Sequence, residues 1–158
     1  MLKSRQTNLL IFLICSGLIT TALYMQHVME LNPCYLCITQ RAFVILTGIF
    51  ALLALVHNRG LKVYGFLITL SALGGSFFSG KQLWLQSLPE DKVPACGPPV
   101  EYLFDAFNFN EALGMLLRGD GNCAEIQWTF LNLSIPAWTL LCFLFLALLG
   151  FSQVIRKN

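Results

Sequence analysis

Asn32-Pro33-Cys34-Tyr35-Leu36-Cys37-Ile38-Thr39-Gln40-Arg41 leads into a run, Cys37 to Val56, whose one formally charged residue is Arg41. Twenty such residues are about what a helix needs to cross the hydrocarbon core of a bilayer. The stretch therefore predicts a Cys-x-x-Cys pair at the mouth of a membrane-spanning helix, with an arginine one turn further in. A helix that starts beside the pair points its N-terminal amides and positive dipole end at the second sulfur, which favours thiolate. Arg41 follows Cys37 by four positions and shares its helix face. A guanidinium cannot shed its charge to suit an apolar setting. Inside the edge of a lipid-facing helix it either snorkels to the interface or serves the thiols.

Composition fixes the class around that stretch. Of 158 residues, 56% are hydrophobic and 11% charged, and the mean hydropathy is +0.68. Soluble domains are roughly a quarter charged, so this is an integral membrane protein. A net charge of +2 is too mild to suggest a nucleic-acid partner. Leu9 to Val28 follows Lys3 and Arg5 and has no formal charge apart from a protonated form of His27. Its apolar part exceeds the roughly 7 to 15 residues of a signal-peptide core and no Ala-x-Ala-like site follows, so it reads as a retained first span. Val63 to Leu83 makes a third span, and Ile135 to Ile155 a fourth, with Pro136 in its first turn.

The expected fold is all-α, a four-transmembrane-helix bundle in a single integral domain over residues 1–158. Its spans are residues 9–28, 37–56, 63–83 and 135–155, with outer segments 29–36 and 84–134. Lys3, Arg5, Arg59, Lys62, Arg156 and Lys157 fall on one side, with no acidic residue among them. The bias of basic residues toward the cytoplasm makes that side internal, with both termini. Glu30, Glu90, Asp91, Glu101, Asp105, Glu111, Asp120 and Glu125 all fall on the other side, with Lys81, Lys92 and Arg118.

That orientation sorts the cysteines. Cys34, Cys37, Cys96 and Cys123 face the outer compartment, where disulfides persist. Four thiols allow three connectivities; proximity in sequence favours Cys34 with Cys37 and leaves Cys96 with Cys123. Cys15 and Cys142 fall inside spans one and four and read as small apolar fillers. Pro89, Pro94, Gly97, Pro98 and Pro99 keep Cys96 on a loop. Val100, Leu103, Phe104 and Phe107 follow helical spacing and predict a short amphipathic helix, either on the membrane surface or packed on the bundle. Arg118-Gly119-Asp120-Gly121-Asn122 reads as a flexible turn before Cys123, which leaves that thiol between mobile stretches. In the third span Ser71, Gly75 and Ser79 recur at four-residue spacing and invite a close helix neighbour. Metal and haem chemistry find no support: Ile38 rather than histidine follows Cys37, and no second ligand pair completes a zinc site.

Gln26-His27-Val28-Met29, then Pro33-Cys34-Tyr35-Leu36-Cys37 and Arg41, then Gly121-Asn122-Cys123-Ala124-Glu125-Ile126-Gln127-Trp128 ahead of Pro136 and Trp138, together resemble the DsbB family of bacterial disulfide bond formation proteins. The resemblance runs over essentially the whole chain. It implies a multi-pass protein of the bacterial inner membrane that re-oxidises a periplasmic DsbA-like dithiol protein and passes electrons to a membrane quinone, ubiquinone or menaquinone. It further implies that Cys96 receives the partner's thiolate and Cys123 is released. That pair is then re-oxidised through Cys34, while Cys37 and Arg41 stand beside the quinone. His27 sits at the outer end of the first span, where it could reach the same mouth and relay protons or contact the quinone, or serve as a polar interfacial residue with a structural hydrogen bond. Related chains often carry a histidine shortly after the third helix; here that region reads Trp84-Leu85-Gln86-Ser87-Leu88, which shifts the expectation for a quinone contact toward Arg41.

Two other readings compete. In a four-span scaffold with stapled loops, a Cys96–Cys123 bridge would contribute roughly 3 to 4 kcal/mol on the loop-entropy model, but Arg41 would have no task. A vitamin K epoxide reductase-like oxidoreductase carries its quinone-proximal Cys-x-x-Cys late in the chain. Here the pair comes early.

Overall fold

The structure, a computed structural model, describes residues 4–156. Lys3 and Lys157 lie outside the described residues, as do the side chains of Glu101 and Phe104. Among the described residues four helices are long and apolar enough to cross a membrane: α1 (Ser4–His27), α2 (Tyr35–His57), α3 (Leu61–Gln86) and α6 (Ile135–Ile155). Together they make a four-helix membrane bundle.

Local chemistry sets where these helices begin and end. Cys34 is the N-cap of α2, extended at φ −76°, ψ 171°, and its sulfur accepts from the Cys37 N–H. At the other end Asn58 takes the left-handed conformation, one that asparagine tolerates, and its N–H bonds the Ala54 carbonyl. Gly60, also at positive φ, then opens α3. A turn this short makes α2 and α3 antiparallel neighbours.

Without a hydrophobic difference between lipid and side chain, helices associate through close packing of small residues. The α3–α6 seam shows it. The Phe143 ring occupies the space a side chain at Gly75 would need, and Gly150 lies against Ile68 and Thr69. Gly65 returns the contact, since a Cβ there would sit 3.0 Å from the Gly150 carbonyl. Ser71 and Ser79 bond across helices, to Thr47 at 2.7 Å and to Thr139 at 3.4 Å. Polar links of this kind contribute about 0.6 kcal/mol each in membranes, so shape carries most of the seam.

One end of the bundle ties α1 to α6, where the Gln153 side-chain amide donates to Asn8 at 2.8 Å. The start of α1 and the end of α6 therefore share an end with the Asn58–Gly60 turn. The opposite end carries the long segment between α3 and α6, which is more structured than its sequence suggests. It holds α4 (Val100–Ala106), α5 (Phe109–Arg118), a two-stranded hairpin pairing Thr129–Phe130 with Leu133–Ser134, and two short 3-10 turns. Of the two expectations for the helix starting at Val100, packing on the bundle is the one observed: Leu103 is fully buried in the same cluster as Cys34, Leu36 and Cys123. Sequence reading missed α5. Ala112 and Leu116 bury its inner face, and the Thr39 hydroxyl of α2 donates to the Leu116 carbonyl at 3.2 Å. Asn108 with Glu111 three residues on was the signal for its start.

Candidate functional site

The first turn of α2 brings Cys34 and Cys37 onto one spot, with their sulfurs 2.7 Å apart. Cys34 is buried and Cys37 partly so. Two buried amides complete the surroundings. Gln82 of α3 donates from Nε2 to the Cys34 sulfur at 3.3 Å and to the Cys37 sulfur at 3.4 Å. Its Oε1 accepts from Gln40 Nε2 at 2.7 Å, and Gln40 Oε1 accepts from the Thr139 hydroxyl of α6 at 3.0 Å. Three helices thus meet at the thiol pair. Sequence reading passed over both glutamines, although a polar side chain inside an apolar span is itself a signal.

Cys123 arrives from the outer segment. It sits in the 3-10 turn Gly121–Ala124 and is fully buried, which corrects the expectation of a thiol between mobile stretches. The turn is held by Asp120, whose carboxylate accepts from the Gly97 N–H at 2.9 Å, the Asn122 side chain at 2.6 Å and the Cys123 thiol at 3.4 Å. Asp and Asn side chains that bond nearby backbone build ordered turns as readily as mobile ones. Here the second partner is the loop carrying Cys96. Gly121 donates to the Ala95 carbonyl at 3.3 Å, and a Cβ on Gly121 would lie 3.0 Å from the Cys96 sulfur. The Tyr35 hydroxyl pins the same loop through the Pro98 carbonyl. Cys96 itself remains exposed.

All six cysteines are free thiols in this structure, and Cys34 shares a buried cluster with Cys123 while its sulfur lies against that of Cys37. Donating to Cys123 first and Cys37 second, with burial added, holds the Cys34 thiol well above its ordinary range. Cys123 is pushed below that range chiefly by the hydrogen bond from Cys34, with burial and the negative charge of Asp120 opposing. When Cys123 ionises it gives up its bond to Asp120 and keeps the one from Cys34. Exchange between disulfides needs a thiolate in contact with a sulfur it can attack. Cys34 is the sulfur where the Cys-x-x-Cys pair and the outer segment touch.

Arg41 lies one turn below, bonded through its guanidinium to the Gln26 side chain and, at 3.2 Å, to the Ala22 carbonyl of α1. It thus ties α2 to α1 and does not merely reach for the interface. Beside it an open cleft lies between α1, α2 and α6. Its walls are mainly apolar, among them Leu18, Val44 and Phe143, with polar atoms from Cys37, Gln40 and Arg41. Apolar walls with a few convergent polar groups are the character of a site for a small ring compound. His27 is not among its walls; it ends α1 on the exposed surface. Its neighbour Gln26 is the residue that reaches Arg41. Away from this end, Cys15 packs in the apolar core of the bundle against Gly48, and Cys142 lies partly buried on α6.

A family model described as "Disulfide bond formation protein DsbB" matches residues 4–153. Among similar proteins, "Disulfide bond formation protein B" of Saccharophagus degradans is 53% identical over 156 residues, covering 97% of this chain and 94% of that one. The protein of the same description from Hahella chejuensis is 50% identical, covering 99% and 98%. "Disulfide bond formation protein B 1" of Pseudomonas aeruginosa is 43% identical, covering 95% and 93%.

Proposed function

The chain belongs to the DsbB family of disulfide bond formation proteins, and from that premise we propose that this membrane-embedded disulfide oxidoreductase moves electron pairs from a periplasmic DsbA-like dithiol protein to a membrane quinone. The observation that carries the reading is the position of Cys34, whose sulfur lies 2.7 Å from that of Cys37 and which packs in the same buried cluster as Cys123. The basic end of the bundle faces the cytoplasm of a bacterial inner membrane, and the cysteine end faces the periplasm.

A partner thiolate attacks Cys96 of a Cys96–Cys123 disulfide; the new bond joins partner and Cys96, and Cys123 leaves as thiolate. The partner's second thiol displaces Cys96, so the partner departs oxidised with its two electrons left on Cys96 and Cys123. Cys123 next attacks Cys34 of the Cys34–Cys37 disulfide, and Cys37 leaves as thiolate. Cys96 then displaces Cys34 from Cys123, which restores the outer pair and leaves the electrons on Cys34 and Cys37. The exposure of Cys96 suits it to meet a soluble protein, and the burial of Cys123 against Cys34 suits it to the internal exchange.

A bound quinone supplies an acceptor for two electrons and two protons in the lipid phase, which matches what a dithiol gives up on closing. The cavity beside Cys37 fits such a ring: apolar walls for its body, and Arg41 and Gln40 for its oxygens. Arg41 also places a fixed positive charge near Cys37, where thiolate forms. Arg41→Ala is expected to raise the apparent KM for quinone at least about tenfold, the scale of one lost charge-assisted hydrogen bond, with the KM for the dithiol partner within twofold. Steady-state kinetics against each substrate in turn checks this. The opposite ranking would leave Arg41 as a tie between helices only.

A further inference from the structure

Resting on that reading of the dithiol, we propose that Gln82 is the donor that holds Cys34 and Cys37 in their reduced form, and that it makes their disulfide easier to reduce. Its Nε2 lies at nearly equal distance from the two sulfurs, 3.3 and 3.4 Å, so one amide serves both. That direction agrees with the amide's other neighbours. Gln40 presents its N–H to Gln82 Oε1, and the Thr139 hydroxyl completes Gln40 on the carbonyl side. Gln82 Oε1 lies 3.8 Å from the Cys37 sulfur, at the long limit for a thiol donor, so the close contacts to both sulfurs are those of the Nε2 group. Reversed, the Gln82 carbonyl would face the sulfurs, where it could meet a thiol but neither a thiolate nor a disulfide, both of which only accept.

The location gives the bond its effect. Gln82 and Gln40 are each 4% exposed, so water does not stand in for them, and hydrogen bonds in such surroundings gain in strength. A donor stabilises an ionised acceptor roughly twice as well as a neutral one. An N–H aimed at sulfur therefore favours the reduced, thiolate-bearing pair over the closed disulfide. A pair biased this way accepts electrons from Cys96 and Cys123 more readily. Because Gln40 also lines the quinone cavity, the amide that orients Gln82 borders the electron acceptor.

The test uses the full-length protein in detergent, equilibrated in glutathione buffers of graded ratio, with each cysteine pair quantified by alkylation and mass spectrometry. Gln82→Met keeps volume and removes the donor, and Gln82→Glu keeps shape and exchanges a donor for an acceptor. In both variants the Cys34–Cys37 equilibrium is expected to shift about tenfold toward disulfide, which is about 30 mV for two electrons. The Cys96–Cys123 equilibrium in the same samples should stay within twofold. An unmoved Cys34–Cys37 equilibrium in both variants would overturn the assignment, and so would an equal shift of both pairs, which would mark general loosening. The functional reading fails separately: if the Cys34–Cys37 equilibrium depends on Gln82 while added quinone oxidises neither wild-type nor variant dithiol, the quinone acceptor is wrong and the role of Gln82 stands.

Discussion

Cys34→Ser is expected to stop catalysis, lowering turnover of a dithiol partner about a thousandfold or more, the scale on which loss of a nucleophile acts. Both exchanges that re-oxidise the outer pair pass through this one sulfur, which lies against Cys37 and shares a buried cluster with Cys123. Serine fills nearly the same space and can still cap α2, so the bundle should keep its helix content and its behaviour in detergent. The residual activity has a distinctive form. A chain that starts with Cys96–Cys123 oxidised should convert one partner dithiol and then stall, because nothing can draw the electrons inward. Rapid mixing with thiol counting checks both points: sustained turnover in this variant would contradict the route, whereas a single equivalent followed by arrest is the expected result.

The second large effect concerns the outer pair. Cys123→Ser is expected to trap the partner as a stable mixed disulfide on Cys96, visible as a heavier band on a non-reducing gel and absent after reduction. Cys96 is the exposed member of the pair, on a loop pinned by Tyr35 and Asp120, while Cys123 is enclosed. A soluble protein thus meets Cys96 first. Once attacked, Cys96 normally loses its bond to Cys123 and is freed by the partner's second thiol. With Cys123 replaced, Cys96 starts as a free thiol, so a partner whose second thiol is also replaced by serine is supplied as a mixed disulfide with a small thiol; Cys96 displaces that small thiol and should hold the partner in nearly every molecule. Peptide mapping that finds the link on Cys34 instead would reverse the order of the two pairs.

Much of this architecture could be read from the chain because membranes impose coarse, length-based rules. Four uninterrupted apolar runs, one carrying Cys34, Cys37 and Arg41 at its mouth, leave few folds open. The basic residues at one set of ends and the acidic ones at the other sorted the loops without any structure. What escaped was tertiary. Asp120, in a run of glycine and asparagine, read as a flexible turn, yet its carboxylate gathers three donors from two loops. Such order depends on Gly97 being nearby in space, and local sequence carries no sign of that. Gln40 and Gln82 were missed for a related reason: each is one polar residue in a long helix, and only the crossing of α2 with α3 joins them over the sulfurs. The contact of Cys34 with Cys123 likewise spans most of the chain. His27 is the converse case, placed near the mouth by sequence but standing on the surface, because Gln26 one residue earlier faces Arg41.

The most direct test of electron transfer from Cys34 and Cys37 to a lipid-soluble acceptor is an anaerobic titration of the fully reduced protein in detergent with a short-chain ubiquinone. Free thiols and quinol absorbance are followed together. One quinol formed for every two thiols lost, in wild type and in a Cys96→Ser, Cys123→Ser chain but not in Cys37→Ser, is the expected result. Thiol loss without quinol, or quinol formed equally well by Cys37→Ser, would contradict it.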